Sequence, residues 1–261
     1  MPRPLRIAPG GFVYHVLNRA NGKRRIFEHD GDYLAFERVL GEVQERAPMR
    51  ILAWCVMPNH WHLLLWPQHD GELSNYMRLV TLTHTQRLHA HRASAGTGHV
   101  YQGRFKSFVV QNDAHFFAVS RYVEANALRG RLVKRAEDWR WGSLWRWLEQ
   151  RERDDSLRLH PWPIARPSNW RTYVNQPVEK AEADCLRRCA RRGTPYGDEA
   201  WVAGVAEQLG LRSTLRPRGR PAKDDSCPLL QKKGPDPFSA SAPSPADFPA
   251  SAERRAARSR P

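Results

Sequence analysis

The sequence predicts an α+β fold, a single antiparallel sheet with helices packed against it, on three observations. Short β-branched and aromatic runs at 11–17, 50–57, 60–66 and 104–110 read as strands. Apolar residues recurring at intervals of three and four between them read as helices. Only Pro58-Asn59 separates the second run from the third, so these two strands pair as an antiparallel hairpin.

The first strand, GFVYHVL, ends at the turn signal Asn18-Arg19-Ala20-Asn21-Gly22. Asp30-Gly31-Asp32 then offers cap chemistry to a helix whose apolar stripe is Tyr33, Phe36, Leu40 and Val43, with Pro48 marking its end. The hairpin follows, and after it a helix carrying Leu73, Met77, Val80, His84 and Leu88 on one stripe. Ser94-Ala95-Gly96-Thr97-Gly98 is a loop, RFKSFVV is the fourth strand, and Asn112 or Asp113 caps a third helix of about fifteen residues. The order β-α-β-β-α-β-α is the split βαββαβ, ferredoxin-like arrangement with one added helix at its end.

Three regions follow from texture. Residues 1–150 form one domain. In 151–215, Pro161, Pro163 and Pro167 break up a linker before two short helices at 178–192 and 198–209, a small helical C-terminal region. Residues 216–261, rich in Pro, Ser, Ala and Arg, bury too little apolar surface to offset their ordering entropy and read as a disordered basic tail.

The 261 residues carry 42 Lys+Arg against 27 Asp+Glu, a formal charge of +15 with a pI near 10.3, which favours a polyanionic partner. There is no apolar run of about 18 residues and no cleavable leader, so a cytoplasmic protein without membrane contact is expected. Cys55, Cys185, Cys189 and Cys227 lack paired zinc-site spacing and read as free thiols.

His60-Trp61-His62 lies in a strand, where residues two apart share a face about 6 to 7 Å apart, so both imidazoles can reach one cation. Taken alone, two histidines on a half-exposed strand are more often polar-face residues than ligands. Tyr122 and Asn126 sit at i and i+4 on the third helix and share a face; alone they read as a core-edge aromatic and a C-cap residue. Chemistry joins the two halves. A phenol is a poor nucleophile at neutral pH, and a phosphodiester repels attack by its own charge. A divalent ion held by two imidazoles and an amide oxygen relieves the second difficulty, and Mn²⁺ or Mg²⁺ suits that donor set.

The run Cys55-Val-Met-Pro-Asn-His-Trp-His-Leu-Leu-Leu resembles the HUH strand of the single-strand tyrosine transposases, more narrowly the REP-associated tyrosine transposases of insertion-sequence type. Tyr14-His-Val-Leu-Asn-Arg-Ala, Gly98-His-Val-Tyr-Gln-Gly-Arg-Phe-Lys-Ser, Arg121-Tyr-Val-Glu-Ala-Asn-Ala-Leu-Arg-Gly-Arg-Leu-Val and Asp138-Trp-Arg-Trp-Gly-Ser agree with it in family order. The resemblance implies that His60 and His62 are metal ligands, Asn126 a third ligand and Tyr122 the nucleophile. It further implies an endonuclease and strand transferase that forms a 5′-phosphotyrosine on single-stranded DNA with hairpin-forming, palindromic repeats. Ala127 departs from the pattern, which places proline after the asparagine.

Candidate DNA contacts are Arg104 and Lys106, which share a strand face, Tyr101 at the end of a glycine-rich loop, Arg121, and the tail arginines Arg218 and Arg220 in RPRGRPAK, which resembles a minor-groove hook. Trp139, Trp141, Trp145 and Trp147 interleave with Arg140 and Arg146, a mixture read first as buried packing against the helical region. The sequence leaves monomer and homodimer open. A non-catalytic DNA-hairpin-binding module and a water-using nuclease are the competing functions.

Overall fold

The computed structural model describes residues 8–149 and 157–216. Strands β1 (Val13–Arg19), β2 (Arg50–Met57), β3 (His60–Trp66) and β4 (Lys106–Val110) form one antiparallel sheet in the order β2-β3-β1-β4, as the βαββαβ reading requires. The hairpin strands fall at 50–57 and 60–66 as predicted. β1 runs two residues further than predicted because its pairing with β3 continues to Arg19 opposite His60, which postpones the turn to Ala20.

Helices α1 (Asp30–Arg46) and α2 (Glu72–His91) cover one face of the sheet. Their Phe36, Leu40, Leu73, Met77 and Val80 are fully buried with Val16, Trp61, Leu63 and Leu65 from the strands. Each such side chain contributes roughly 1.5 to 3 kcal/mol by leaving water. Asp32 rather than Asp30 completes the start of α1, its carboxylate accepting from the Glu28 and His29 amides at 2.8 and 3.2 Å.

The opposite face is covered by α3 (Ala114–Glu124), α4 (Asn126–Arg129), α6 (Trp170–Asn175) and α7 (Lys180–Arg192). α5 (Ser143–Glu149), α8 (Glu199–Gln208) and α9 (Arg212–Leu215) complete the described helices. Asp113 caps α3 by accepting from the His115 amide at 2.8 Å. The expected continuous third helix breaks at Ala125, so Tyr122 and Asn126 stand on consecutive helices rather than on one. Glu124, buried, accepts from Ser143 Oγ and Trp170 Nε1 at 2.7 Å each and so joins α3 to α5 and α6.

Two of the expected DNA contacts are interior. Tyr101 is buried: Trp61 Nε1 donates to its hydroxyl at 3.0 Å, and the hydroxyl meets His84 Nδ1 at 2.6 Å. A ring held this way cannot stack on a base, so Tyr101 is a core residue. Arg121 is also buried; it pairs with Glu182 of α7, and its guanidinium lies 4.5 Å from the centre of the Tyr173 ring, so its charge is spent inside the protein. Arg218, Arg220, Cys227 and the basic tail from 217 onward lie outside the described residues.

Trp139 and Trp141 pack, but against α1 and β2, whereas Trp147 is exposed and meets Arg166 of the 151–215 region, whose guanidinium lies 4.2 Å from its ring centre. Trp141 stacks on Tyr33 with ring centres 4.8 Å apart, and Trp139 Nε1 donates to the Val56 carbonyl at 2.9 Å. Cys55 and Cys189 are free and buried, whereas Cys185 is disulfide-bonded, a correction to the reading of free thiols; spacing alone does not reveal pairing. No helix among the described residues is long and apolar enough to cross a membrane.

His84 gives the fold an acid sensitivity. Burial pushes its imidazole down to about 4, so below the unfolded value of about 6.5 the unfolded chain binds a proton that the fold refuses. This contribution to stability is therefore lost as pH falls from about 6.5 toward 4, and the shift is worth on the order of 3 kcal/mol. Urea denaturation across that window should show stability declining with acid, and His84→Gln, which retains a partner for Tyr101, should flatten the slope; an unchanged slope would exclude His84 as a source.

Candidate active site

Alternation along the strands assembles the site. In the register of the sheet Cys55 lies opposite His62, His62 opposite Leu17, and Leu17 opposite Lys106, so these four residues cross the sheet in one row on the α3 face. The next row is Met57, His60 and Arg19. Trp61 between the histidines points into the α1/α2 core and is fully buried, which fixes the orientation of both imidazoles.

Above these rows is a cavity of about 600 Å³ lined by His60, His62, Tyr122 and Asn126 together. The His60 and His62 ring centres are 5.1 Å apart, and the Tyr122 ring lies 5.9 Å from that of His62. Arg19, Arg104, Lys106, Arg129, Arg187 and Arg191 also line it, and among the described residues no carboxylate does. Of the sequence candidates, the structure thus brings together His60, His62, Tyr122, Asn126, Arg104 and Lys106. It does not bring Tyr101 or Arg121.

Both imidazoles are held neutral. Burial, reinforced by the charges of Arg19 and Arg129, pushes His60 down to about 4. Burial also drives His62 well below its ordinary value, with His15, His60 and Arg129 adding to the effect. His60 Nδ1 lies 2.6 Å from Asn59 Oδ1, which can only accept; Nδ1 therefore carries the proton and Nε2 keeps its lone pair. His62 Nδ1 meets Nε2 of the buried His15 at 2.8 Å, leaving its own Nε2 outside that bond.

Arg129 organises the other side. It reaches back across the break at Ala125, donating to the Tyr122 carbonyl at 2.6 Å and to Asn126 Oδ1 at 3.2 Å, with its guanidinium 3.8 Å from the centre of the Tyr122 ring. Asn126 Nδ2 is buried with no hydrogen-bond partner. Among the described residues no three His, Cys, Asp or Glu side chains cluster to hold a metal ion. The donors that remain, two neutral imidazoles and an amide oxygen, nonetheless fit a divalent cation whose other positions are filled by water or phosphate oxygen.

Sequence reasoning assigned no role to His15, Arg129, Arg187 or Arg191. His15 had one signal, a histidine at an inward position of an otherwise apolar strand. The arginines had none, because their arrival depends on how α4 and α7 pack.

Residues 11–126 match the family described as IS200-like transposases, and the resemblance carried by the motifs is borne out by that match. The chain is 24% identical over 132 residues to the REP-associated tyrosine transposase of Escherichia coli K12, covering 50% of this chain and 74% of the relative. The structure of a REP-associated tyrosine transposase bound to a REP hairpin matches with a TM-score of 0.46 and 21% identity, over 64% of this chain and 93% of that one. A crystal structure of a transposase candidate from Deinococcus radiodurans R1 matches with a TM-score of 0.35 and 15% identity, over 42% and 87%.

Proposed function

We propose that this protein is a metal-dependent strand transferase of single-stranded DNA, acting on hairpin-forming repeats through a covalent bond to Tyr122. The observation that carries this reading is the cavity in which a phenol, two neutral imidazoles and an amide face one another among arginines and a lysine. Residues 1–150 supply the chemistry, and the helices of 151–215 supply the far wall. The E. coli relative is named for REP repeats, and a palindromic repeat folded as a hairpin is the substrate class assigned here.

Tyr122 Oη attacks the phosphorus of the scissile phosphodiester. The bond from phosphorus to the 3′-oxygen breaks, the 5′-phosphate passes to Tyr122, and a 3′-hydroxyl leaves; the phenolic proton goes to solvent while the departing oxygen takes one up. Attack by a second 3′-hydroxyl on the phosphotyrosine reverses the step, so rejoining needs no nucleotide cofactor. Arg129 holds the Tyr122 ring and Asn126 amide in place and sets a fixed positive charge beside the anionic phosphate. His60, His62 and Asn126 would hold Mg²⁺ or Mn²⁺, which when bound polarises the phosphate and offsets charge gathering on its oxygens.

The test is incubation with Mn²⁺ or Mg²⁺ and a labelled hairpin oligonucleotide, followed by a denaturing gel. A labelled band at the mass of protein plus DNA is expected. Hairpin binding with neither adduct nor cut DNA would leave a binding module instead.

His15 has a part in this scheme. Its ring fixes the His62 imidazole through the 2.8 Å contact at Nδ1, and partners in that position commonly control ligand affinity. His15→Phe should weaken Mn²⁺ binding by about 10- to 100-fold in a calorimetric titration while the chain stays folded. Unchanged affinity would make His15 a packing residue.

A further inference from the structure

The cavity beside Tyr122 continues past the nucleophile. A second hollow of about 400 Å³ runs along β4 toward Gly193 and Thr214, and the two share Arg104, Lys106, Ala190 and Arg191 as lining. One wall is the start of β4 with the segment before it; the other is α7. Sequence explains that second wall: Cys185, Leu186 and Cys189 are buried in the cluster that holds Val13 and Phe108, which leaves Arg187 and Arg191, four apart, exposed on the flank facing the groove. Arg104 and Lys106 are likewise exposed, while Phe105 between them is buried in the opposite core.

Among the described residues neither hollow is lined by a carboxylate, and Arg192 adds a further cation at the far end. Arg187 pairs with Asp184 at 2.7 Å, but both side chains are half exposed and such a pair gives way readily to a polyanion. The aromatic residues of the second hollow, Tyr14 and Phe108, are each 2% exposed and offer no stacking platform. Cations without accessible rings select backbone rather than bases.

We propose that the groove between β4 and α7 is a binding track for the phosphodiester backbone of single-stranded DNA leading to or from the scissile phosphate, gripped by Arg104 and Lys106 on one side and Arg187 and Arg191 on the other. The placement next to the scissile phosphate rests on the strand-transfer reading of the adjoining cavity; the binding itself does not. Because phosphates repeat regularly, the track accepts any base sequence and complements whatever recognises the hairpin.

The experiment is fluorescence anisotropy of the full chain without metal, using a thymidine single strand of about fifteen nucleotides, an adenosine strand of the same length, and the annealed duplex. The single strands should bind alike and more tightly than the duplex. Arg187→Gln with Arg191→Gln should weaken single-strand binding about tenfold or more at low salt and reduce the slope of log affinity against log salt by about 0.7 per arginine. Lys106→Gln, on the opposite wall, should lower the slope by a similar increment. Undiminished affinity in these variants, an equal loss for the duplex, or a loss confined to one base sequence would overturn the track. Since neither metal nor cleavage is involved, a missing protein–DNA adduct would sink the strand-transfer reading and leave this result standing, and the converse also holds.

Discussion

Replacing Tyr122 by phenylalanine is expected to abolish the covalent adduct and to slow strand cleavage by about 10⁴-fold or more, the scale seen when a nucleophile is removed from a preorganised site. The substitution deletes one oxygen and little else. The ring remains under the Arg129 guanidinium at 3.8 Å and edge-on to His62 at 5.9 Å, so the packing of α3 and α4 on the sheet is unaffected. Hairpin affinity and its salt dependence should be those of the unmodified chain, because no cation of the cavity changes. Cut DNA appearing at an undiminished rate would identify water as the nucleophile and reduce Tyr122 to a packing role.

Glu182→Ala is expected to cost about 3 to 5 kcal/mol in chemical denaturation. Glu182 is the acidic half of a buried pair with Arg121 that joins α7 to α3, and its loss leaves a buried guanidinium facing the Tyr173 ring without its counter-charge. The pair itself need not be net stabilising: its ions give up hydration to meet, so the joint replacement Arg121→Met with Glu182→Leu should recover most of the loss. A fall under about 1 kcal/mol for Glu182→Ala would mean that Arg121 finds water or another partner when alone. Because α7 is also a wall of the groove, the single variant should loosen binding of single strands, a coupling between stability and function that an exposed ion pair would not show.

The sheet was legible because its signals are local. The apolar runs at 50–57 and 60–66 and the Pro58-Asn59 connection between them delimit β2 and β3 to the residue, and the three-and-four spacing of Phe36, Leu40, Leu73 and Met77 announces the helices that cover one face. The histidine pair could be oriented from Trp61 alone, since a buried ring between them forces both imidazoles to the other side. Features that depend on contacts distant in sequence were not legible. Tyr101 ends a glycine-rich loop and reads as an exposed aromatic, yet its hydroxyl fits between Trp61 and His84, residues 40 and 17 positions away. Arg121 looks like a free cation until α7 brings Glu182 to it. Likewise the break at Ala125 and the return of Arg129 onto Tyr122 follow no pattern of spacing, and α5 was hidden by a run of tryptophan and arginine read for its chemistry instead of its period.

The central claim is that Tyr122 itself carries the DNA. After reaction with a hairpin oligonucleotide and divalent metal, the adduct can be digested with nuclease and protease and its modified peptide sequenced by mass spectrometry. The account predicts a nucleotide joined through its 5′-phosphate to the Tyr122 hydroxyl. Attachment at another residue, or through a 3′-phosphate, would contradict it.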